Sequence, residues 1–168
     1  MTASTPPDRA VHRYVIALGS NRRGVHGAPA AEVRAAMAAI GQGQVSPILV
    51  TAPLGPSRRR FANAAMLIES DEQPPQLLGR LKGIERAFGR RRGRRWDSRV
   101  IDLDIILWSG GAWSSPKVRK GALTIPHSQF RRRDFVLRPL LALVPGWRDP
   151  ITGHTVRQLA AHLARSGS

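Results

Sequence analysis

The chain of 168 residues contains no cysteine. Disulfides, iron–sulfur clusters and thiolate zinc sites are therefore excluded. The sequence also lacks any apolar run near the roughly 18 residues that a membrane-spanning helix requires, and residues 1–13 lack the apolar stretch of a signal peptide. These absences predict a cytoplasmic protein with no membrane partner.

Acidic residues and lysines are scarce, whereas arginine is abundant. The chain has 11 Asp and Glu against 27 Lys and Arg, a net charge of +16, and only three of the basic residues are lysines. Coding bias accounts for part of this total, but it does not account for the distribution, since half of the 24 arginines lie in Arg58–Arg60, Arg90–Arg99 and Arg131–Arg133. Guanidinium groups bind phosphates in a bidentate manner. The clusters therefore indicate an anionic partner, either nucleic acid or a polyphosphate.

The order of apolar segments predicts a polar leader over residues 1–13 and one α+β domain over residues 14–165. Apolar residues make up 42% of the chain, which is enough for a core. Strands and helices are mixed without strict alternation, which favours an α+β sandwich over a doubly wound sheet. The predicted strands are Tyr14–Leu18 (ended by a turn at 19–21), Val45–Thr51, Phe61–Glu69, Val100–Trp108 and the short Leu123–Pro126. The predicted helices are Ala30–Ile40, Pro74–Phe88 and Thr155–Ala164, with Phe135–Leu143 as a strand end followed by a short helix because of Pro139.

Two carboxylates, Asp102 and Asp104, lie inside the apolar strand Val100–Trp108. At positions i and i+2 of a strand they project to one face, where their charges repel and each is costly to desolvate. Arginines that bridge two acids at a strand end are one explanation. A metal site is the other, and two carboxylates without nearby histidine or cysteine suit Mg²⁺ completed by water and phosphate oxygens.

A Mg²⁺ site beside six arginines within Arg90–Arg99 suggests a nucleotide polyphosphate. The sequence has no Gly-Lys-Ser/Thr, no His-Arg-Asp and no Asp-Phe-Gly, so a phosphotransferase here has an architecture other than a P-loop or a protein kinase. Several residues allow two interpretations. Trp96, Phe61 and Phe135 either cover a flat ligand or pack in the core, and His127 is either a ligand or structural.

Several motifs in one order give the chain a resemblance to a known family. They are Tyr14–Asn21, Thr51–Pro56, Phe61–Ala65, Ile84-Glu85 with Gly89–Arg92, Arg95-Trp96, Arg99-x-x-Asp102-Leu-Asp104, Leu123–His127 and Arg133–Leu137. From about Tyr14 to Gly146 the chain resembles the 6-hydroxymethyl-7,8-dihydropterin pyrophosphokinases of folate synthesis.

The resemblance implies a ferredoxin-like αβα sandwich with a mostly antiparallel sheet, a monomer, and a reaction with ATP and two Mg²⁺. In that reaction the terminal diphosphate of ATP moves to the hydroxymethyl oxygen of the dihydropterin and leaves AMP. It implies that the metal ligands are Asp102 and Asp104, and that the catalytic residues are Arg90, Arg92, Arg99, Asp102 and Asp104. The implied ATP residues are Lys82, Glu85, Arg90, Arg92, Trp96, Arg99, Ile105, Leu123, Thr124, His127 and Arg133. The implied pterin residues are Thr51, Ala52, Leu54, Phe61, Asn63, Trp96, Asp102 and Phe135.

Two alternatives to this function stay open. A nucleic-acid-binding module is compatible with the charge of +16, but only nine aromatic residues are present and the acidic pair would repel a phosphate backbone. We therefore expect no nucleic-acid partner. A weakened paralogue is the second alternative, and its support is Asp97-Ser98, where the family has small residues after the tryptophan.

Overall fold

The structure is a computed structural model that describes residues 9–52, 59–89, 100–115 and 122–167. The strands are β1 (His12–Ser20), β2 (Gln44–Val45), β3 (Leu49–Thr51), β4 (Phe61–Ser70), β5 (Asp102–Trp108), β6 (Trp113–Ser114) and β7 (Thr124–Ile125). The α-helices are α1 (Pro29–Ile40), α2 (Pro74–Ala87), α3 (Asp134–Leu143) and α4 (Val156–Ser166), and a short 3₁₀ turn covers Phe130–Arg132.

The main sheet is antiparallel throughout, with β1 and β4 in its centre. β4 pairs with β1 on one side and with both β2 and β3 on the other, while β5 pairs with the free side of β1. If β2 and β3 are counted as one interrupted strand, the chain order is the split βαββαβ arrangement of ferredoxin-like folds. The predicted α+β sandwich is confirmed.

Helices cover the two faces of the sheet to different extents. Tyr14, Ile16 and Leu18 alternate along β1 toward the core beneath α1 and α2. Val15 points to the opposite face, where Ala65 joins it against α3 and α4. The alternation follows from the two-residue period of a strand, and it produces two apolar clusters with the sheet between them.

The central strand β1 is longer than the sequence predicted. It begins at His12, within the predicted polar leader, and continues through Gly19 and Ser20, where a turn was expected. Nine consecutive residues of β1 pair with β4, and this pairing holds both ends of the strand in the sheet. β5, by contrast, begins at Asp102 rather than at Val100.

The predicted strand Val45–Thr51 is wrong as a single strand, because a bulge divides it. Val45 pairs with Met66 and Leu49 with Asn63, so three residues lie opposite two. At the bulge Ser46 exchanges hydrogen bonds with Ala65: its N–H donates to the Ala65 carbonyl (2.9 Å), and its Oγ accepts from the Ala65 N–H (2.8 Å).

The prediction of a strand end at Phe135 is also wrong, since α3 is helical from Asp134 onward. Pro139 lies inside this helix and lacks only one N–H donor. The helical spacing of Val136, Leu137 and Leu140, all buried against the sheet, outweighs that loss. The four α-helices of the described residues have 10 to 14 residues, and none combines the length and apolar character of a membrane span.

Candidate active site

A row of cross-strand neighbours places Asn63 and Asp102 on the same face of the sheet. Gly19 of β1 pairs with Asn63 on one side and with Asp102 on the other, and directly paired residues project to one face. This is the face opposite α1 and α2. A Cβ at Gly19 would lie 3.1 Å from Asn63 Oδ1, so the glycine leaves the space that the amide occupies.

Asp104 lies two residues beyond Asp102 on the same face and pairs with the small Ala17. Both carboxylates are half-buried. Burial raises the pKa of Asp104 above its ordinary value, and the charge of Asp102 raises it further. His127, Lys82 and Arg133 act in the opposite direction. The pair is therefore an anionic centre in which two carboxylates repel each other, and the side chains of His127, Lys82 and Arg133 lie at its border.

The donor set of this centre fits a hard divalent cation. A cation between two repelling carboxylates would relieve the repulsion that raises the pKa of Asp104. Among the described residues no cluster of three His, Asp or Glu side chains could close a protein-only metal cage. Two carboxylates with the remaining positions open to water and phosphate oxygens is the coordination that Mg²⁺ accepts.

Glu85 connects helix α2 by a hydrogen bond to β5, the strand that carries the acidic pair. Its side chain is 1% exposed, and its Oε1 accepts hydrogen bonds from the Leu103 N–H (2.9 Å) and from Lys82 Nζ (3.0 Å). Because Leu103 separates the two aspartates, these contacts hold the ammonium of Lys82 next to the acidic pair.

His127 is anchored beside β5 with one ring nitrogen available. The backbone N–H of His127 donates to the Ile106 carbonyl (3.1 Å), and the ring Nδ1 accepts a hydrogen bond from the backbone N–H of Gln129 (3.2 Å). The hydrogen is therefore on Nε2, which makes the half-buried ring a donor toward an anion.

Two large aromatic rings are exposed on the open side of the sheet. Phe61 is 40% exposed at the start of β4, and Phe135 is 46% exposed in the first turn of α3, a helix that packs on β4. The guanidinium of Arg133 lies 5.8 Å from the centre of the Phe135 ring. Exposed aromatic rings on the same face as the polar residues Asn63 and Asp102 can stack on a flat heterocyclic ligand.

The structure brings most of the described residues of the predicted site together, with one clear exception. Ile105 is 2% exposed and belongs to the apolar cluster under α1 and α2, so its side chain faces away from Asp104. Thr51 is half-buried and pairs with Phe61, and Ala52 follows as an exposed residue. Leu123 is buried just before β7, and Thr124, the first residue of β7, is exposed. The predicted residues outside the described ranges are Leu54, Arg90, Arg92, Trp96 and Arg99.

Two features of the site were missed by sequence reasoning. The first is the space that Gly19 leaves for the amide of Asn63. The signal was present, because a glycine inside a strand indicates that another group approaches the backbone closely. The other is the hydrogen bond from Leu103 to Glu85, which joins residues 18 positions apart and leaves no local signal.

A cavity of about 520 Å³ lies at the other end of β1 and β5, lined among others by Arg13, Trp108 and Trp147. None of the predicted site residues lines it. Charge and polarity, rather than cavity size, therefore distinguish the candidate active site.

Comparison with known proteins gives one consistent family. The family described as 7,8-dihydro-6-hydroxymethylpterin-pyrophosphokinase (HPPK) matches residues 15–145. The 2-amino-4-hydroxy-6-hydroxymethyldihydropteridine pyrophosphokinase of Pseudomonas aeruginosa is 34% identical over 158 residues, which cover 90% of this chain and 92% of the relative. That of Haemophilus influenzae is 35% identical over 157 residues, 88% of this chain and 92% of the relative.

Other similar proteins are longer than this chain. The Synechocystis enzyme of the same name is 38% identical over 105 residues, 62% of this chain and 51% of the relative. Among solved structures, the Plasmodium falciparum HPPK-DHPS wild type has a TM-score of 0.73 at 13% identity, over 94% of this chain and 42% of that one. At that identity the likeness supports the fold alone.

Proposed function

The chain belongs to the 7,8-dihydro-6-hydroxymethylpterin-pyrophosphokinase family and is a pyrophosphokinase of folate biosynthesis, and we propose that Asp102 and Asp104 are the centre of its reaction. In this reaction the hydroxymethyl oxygen of the dihydropterin bonds to the β-phosphorus of ATP. The bond from that phosphorus to the bridging oxygen of AMP breaks, and the hydroxyl proton is released. The observation that carries the assignment is the half-buried acidic pair, with the pKa of Asp104 raised, inside a border of cationic side chains.

Asp102 and Asp104 would hold the two Mg²⁺ ions that the family resemblance implies. When bound, Mg²⁺ neutralises phosphate charge and orients the transferred group. The carboxylates themselves fix the position of that charge on the rigid strand β5, next to Gly19 and Ala17 of β1, whose small size leaves the face open.

The cationic border would bind the phosphates of ATP. His127 offers a hydrogen on Nε2, while Lys82 and Arg133 contribute positive charge at Asp104. Charge-assisted hydrogen bonds of this kind orient the phosphates and stabilise the charge that develops during transfer. Arg90, Arg92 and Arg99 are proposed for the same role, and Trp96 for covering the site.

The adenine would lie beside the outer edge of β5 and β7. The N–H of Leu103 points away from β1, to Glu85. Since residues i and i+2 of an antiparallel strand direct their backbone groups to one side, the main chain of Ile105 has the same direction. We therefore assign Ile105 to adenine by its backbone, together with Leu123 and Thr124.

The pterin would lie between the rings of Phe61 and Phe135. Asn63, held over Gly19, offers an amide to the amide-like edge of the pterin. Thr51 is opposite Phe61 in the sheet, which places it near the same ring. Ala52 and Leu54 are proposed for the same pocket.

No described residue is dedicated to removing the hydroxyl proton. We assign acceptance of this proton to Asp102, because it lies across Gly19 from Asn63, the residue proposed for the pterin, although metal binding would lower its basicity. Positioning of the alcohol and neutralisation of charge are therefore the main sources of catalysis.

A product assay tests this function directly. Purified protein, ATP, Mg²⁺ and 6-hydroxymethyl-7,8-dihydropterin should give AMP and the pterin diphosphate in equal amounts, and EDTA should abolish both. ADP as the nucleotide product, or AMP formation independent of pterin, would contradict the proposal. A monomeric state and a cytoplasmic location stay predictions.

A further inference from the structure

Beyond the residues of the proposed function, the structure contains one further fully buried carboxylate among the described residues of α1. Glu32, in the first turn of α1, is 0% exposed. Its Oε1 accepts a hydrogen bond from the backbone N–H of His26 (2.8 Å), and its Oε2 lies 2.7 Å from the ring Nδ1 of His26. A buried carboxylate without such donors would carry a large desolvation cost. The two residues are therefore tightly linked.

The segment that carries His26 is a narrow turn of its own. Gly24 and Gly27 exchange backbone hydrogen bonds of 3.0 and 3.2 Å, which sets His26 directly opposite Glu32. A Cβ at Gly24 would overlap the Glu32 carboxylate and would come 2.5 Å from Val100 Cγ1. The turn, the carboxylate and Val100 are thus in direct contact.

The same histidine contacts the end of helix α2. Its ring lies 4.7 Å, centre to centre, from the ring of Phe88. Phe88 follows the last residue of α2 and is 7% exposed, while Val100 is 8% exposed and lies two residues before Asp102. The turn of residues 24–27 therefore contacts Phe88 through His26 and Val100 through Gly24, and Glu32 holds this turn in place.

We propose that His26 is a positioning residue for ATP: held by Glu32, it fixes Phe88 at the end of α2 and, through the turn at Gly24, Val100 before β5. The inference rests on the proposed function, in which Lys82 of α2 contributes charge for the ATP phosphates and the proposed metal ligands Asp102 and Asp104 follow Val100 in β5. Most residues assigned to the pterin are on other elements, in β3, β4 and the start of α3, and the exceptions, Trp96 and Asp102, are also assigned to ATP or to the metal. Loss of His26 therefore weakens the use of ATP selectively.

Steady-state kinetics of the full-length chain test the selectivity. We expect His26→Ala to lower kcat/KM for ATP by about tenfold, the scale on which a small misplacement of binding groups acts. The dissociation constant of the dihydropterin, measured without nucleotide, should change by less than twofold. Equal losses for ATP and pterin, or no loss for ATP, would overturn the proposal.

Two further variants separate positioning from general stability. In His26→Asn the side-chain nitrogen lies near the position of Nδ1, so the variant should recover most of the ATP effect through its hydrogen bond to Glu32. Glu72→Gln weakens a matched pair at the opposite end of the same helices, where Arg80 binds Glu72 (2.8 Å) and the Ile40 carbonyl (2.9 Å). It should lower Tm but leave kcat/KM for ATP within twofold. A loss for ATP as large as that of His26→Ala would overturn the proposal.

Amide hydrogen exchange gives a readout that does not need activity. His26→Ala should raise exchange in peptides covering residues 84–89 and 100–104, because local opening at these positions becomes easier, and Glu72→Gln should not. Unchanged exchange in His26→Ala would contradict the fixing of Phe88 and Val100. A wild-type chain that forms no AMP would contradict the proposed function instead, and the exchange data would still decide the role of His26.

Discussion

The two faces of the sheet are made from the same strands, yet they carry different properties. The face under α1 and α2 is apolar through the middle of the sheet, with Tyr14, Ile16, Leu18 and Leu103 all less than 2% exposed. The opposite face is apolar only where α3 and α4 cover it, and at the other end it holds Asn63 and the acidic pair. One face thus stabilises the fold, which allows the other to hold polar groups that cost stability.

Two acids show the same contrast within the second half of the molecule. Burial alone would raise the pKa of Asp149, but hydrogen bonds from Arg131, Thr152 and the Ile151 N–H lower it to about 2. Asp104 is also shielded from water, and its pKa is raised. The charge of Asp149 is compensated by neighbouring residues of the fold, whereas the described neighbours of Asp104 leave its pKa raised, as expected of the metal ligand that we propose.

Replacing Asp104 should have the largest effect on activity. We expect Asp104→Ala to reduce turnover by roughly a thousandfold or more, since a metal ligand supplies several kcal/mol of transition-state stabilisation. The fold should stay intact, because removal of this acid relieves the repulsion with Asp102. AMP formation and far-UV circular dichroism measure the two effects. Turnover near that of the wild type would contradict the metal assignment.

The neighbouring residue Leu103 should give the opposite result. Its side chain is 0% exposed on the other face, and Leu103→Ala is expected to lower the free energy of unfolding by about 2 to 5 kcal/mol. At temperatures where the variant is folded, kcat per folded molecule should stay within a few-fold of the wild type. Urea unfolding with kinetics on the same sample checks this. A specific loss of kcat without loss of stability would mean that the two faces are not separate in function.

Asp149→Asn tests the compensated acid through its pH dependence. The folded-state pKa of about 2 lies below the ordinary 3.8. The carboxylate therefore stabilises the fold at pH values above about 4, and the effect is lost as pH falls toward 2. The variant should be less stable than the wild type by about 2 kcal/mol at pH 7, with a difference that shrinks steadily below pH 4. A difference independent of pH would contradict the ionic origin of the effect.

Much of the site could be predicted because strand periodicity is simple. The two-residue period of a strand places Phe61 and Asn63 on the face opposite Ala62, Ala64 and Met66, as the structure has them. The spacing of Asp102 and Asp104 gave their common face in the same way. The same rule places Ile105 on the opposite face from Asp104, so only its backbone is available to a ligand there.

Other elements depend on contacts that the local sequence does not encode. Pro139 suggested a break, but packing of Leu137 and Leu140 on the sheet keeps α3 continuous. The bulge at Ser46 depends on its partner Ala65, 19 positions away. Glu32, which lies in the first turn of a helix where acids are common, is instead fully buried, and His26 explains why. In each case the tertiary partner decides the outcome.

The smallest effect is expected from Gly19→Ala. This change adds a single methyl group to the face of the sheet that holds Asn63 and the acidic pair. The new Cβ would lie 3.1 Å from Asn63 Oδ1, so the amide must shift and lose about one hydrogen bond to the pterin. We expect pterin binding to weaken by about tenfold, with KM for ATP within twofold. Gly79→Ala is the matched control: its Cβ meets nothing within 4 Å on α2, and it should stabilise the protein by about 0.5 to 1 kcal/mol without changing pterin affinity. If Gly19→Ala bound the pterin as tightly as the wild type, Asn63 would not be the residue that recognises it.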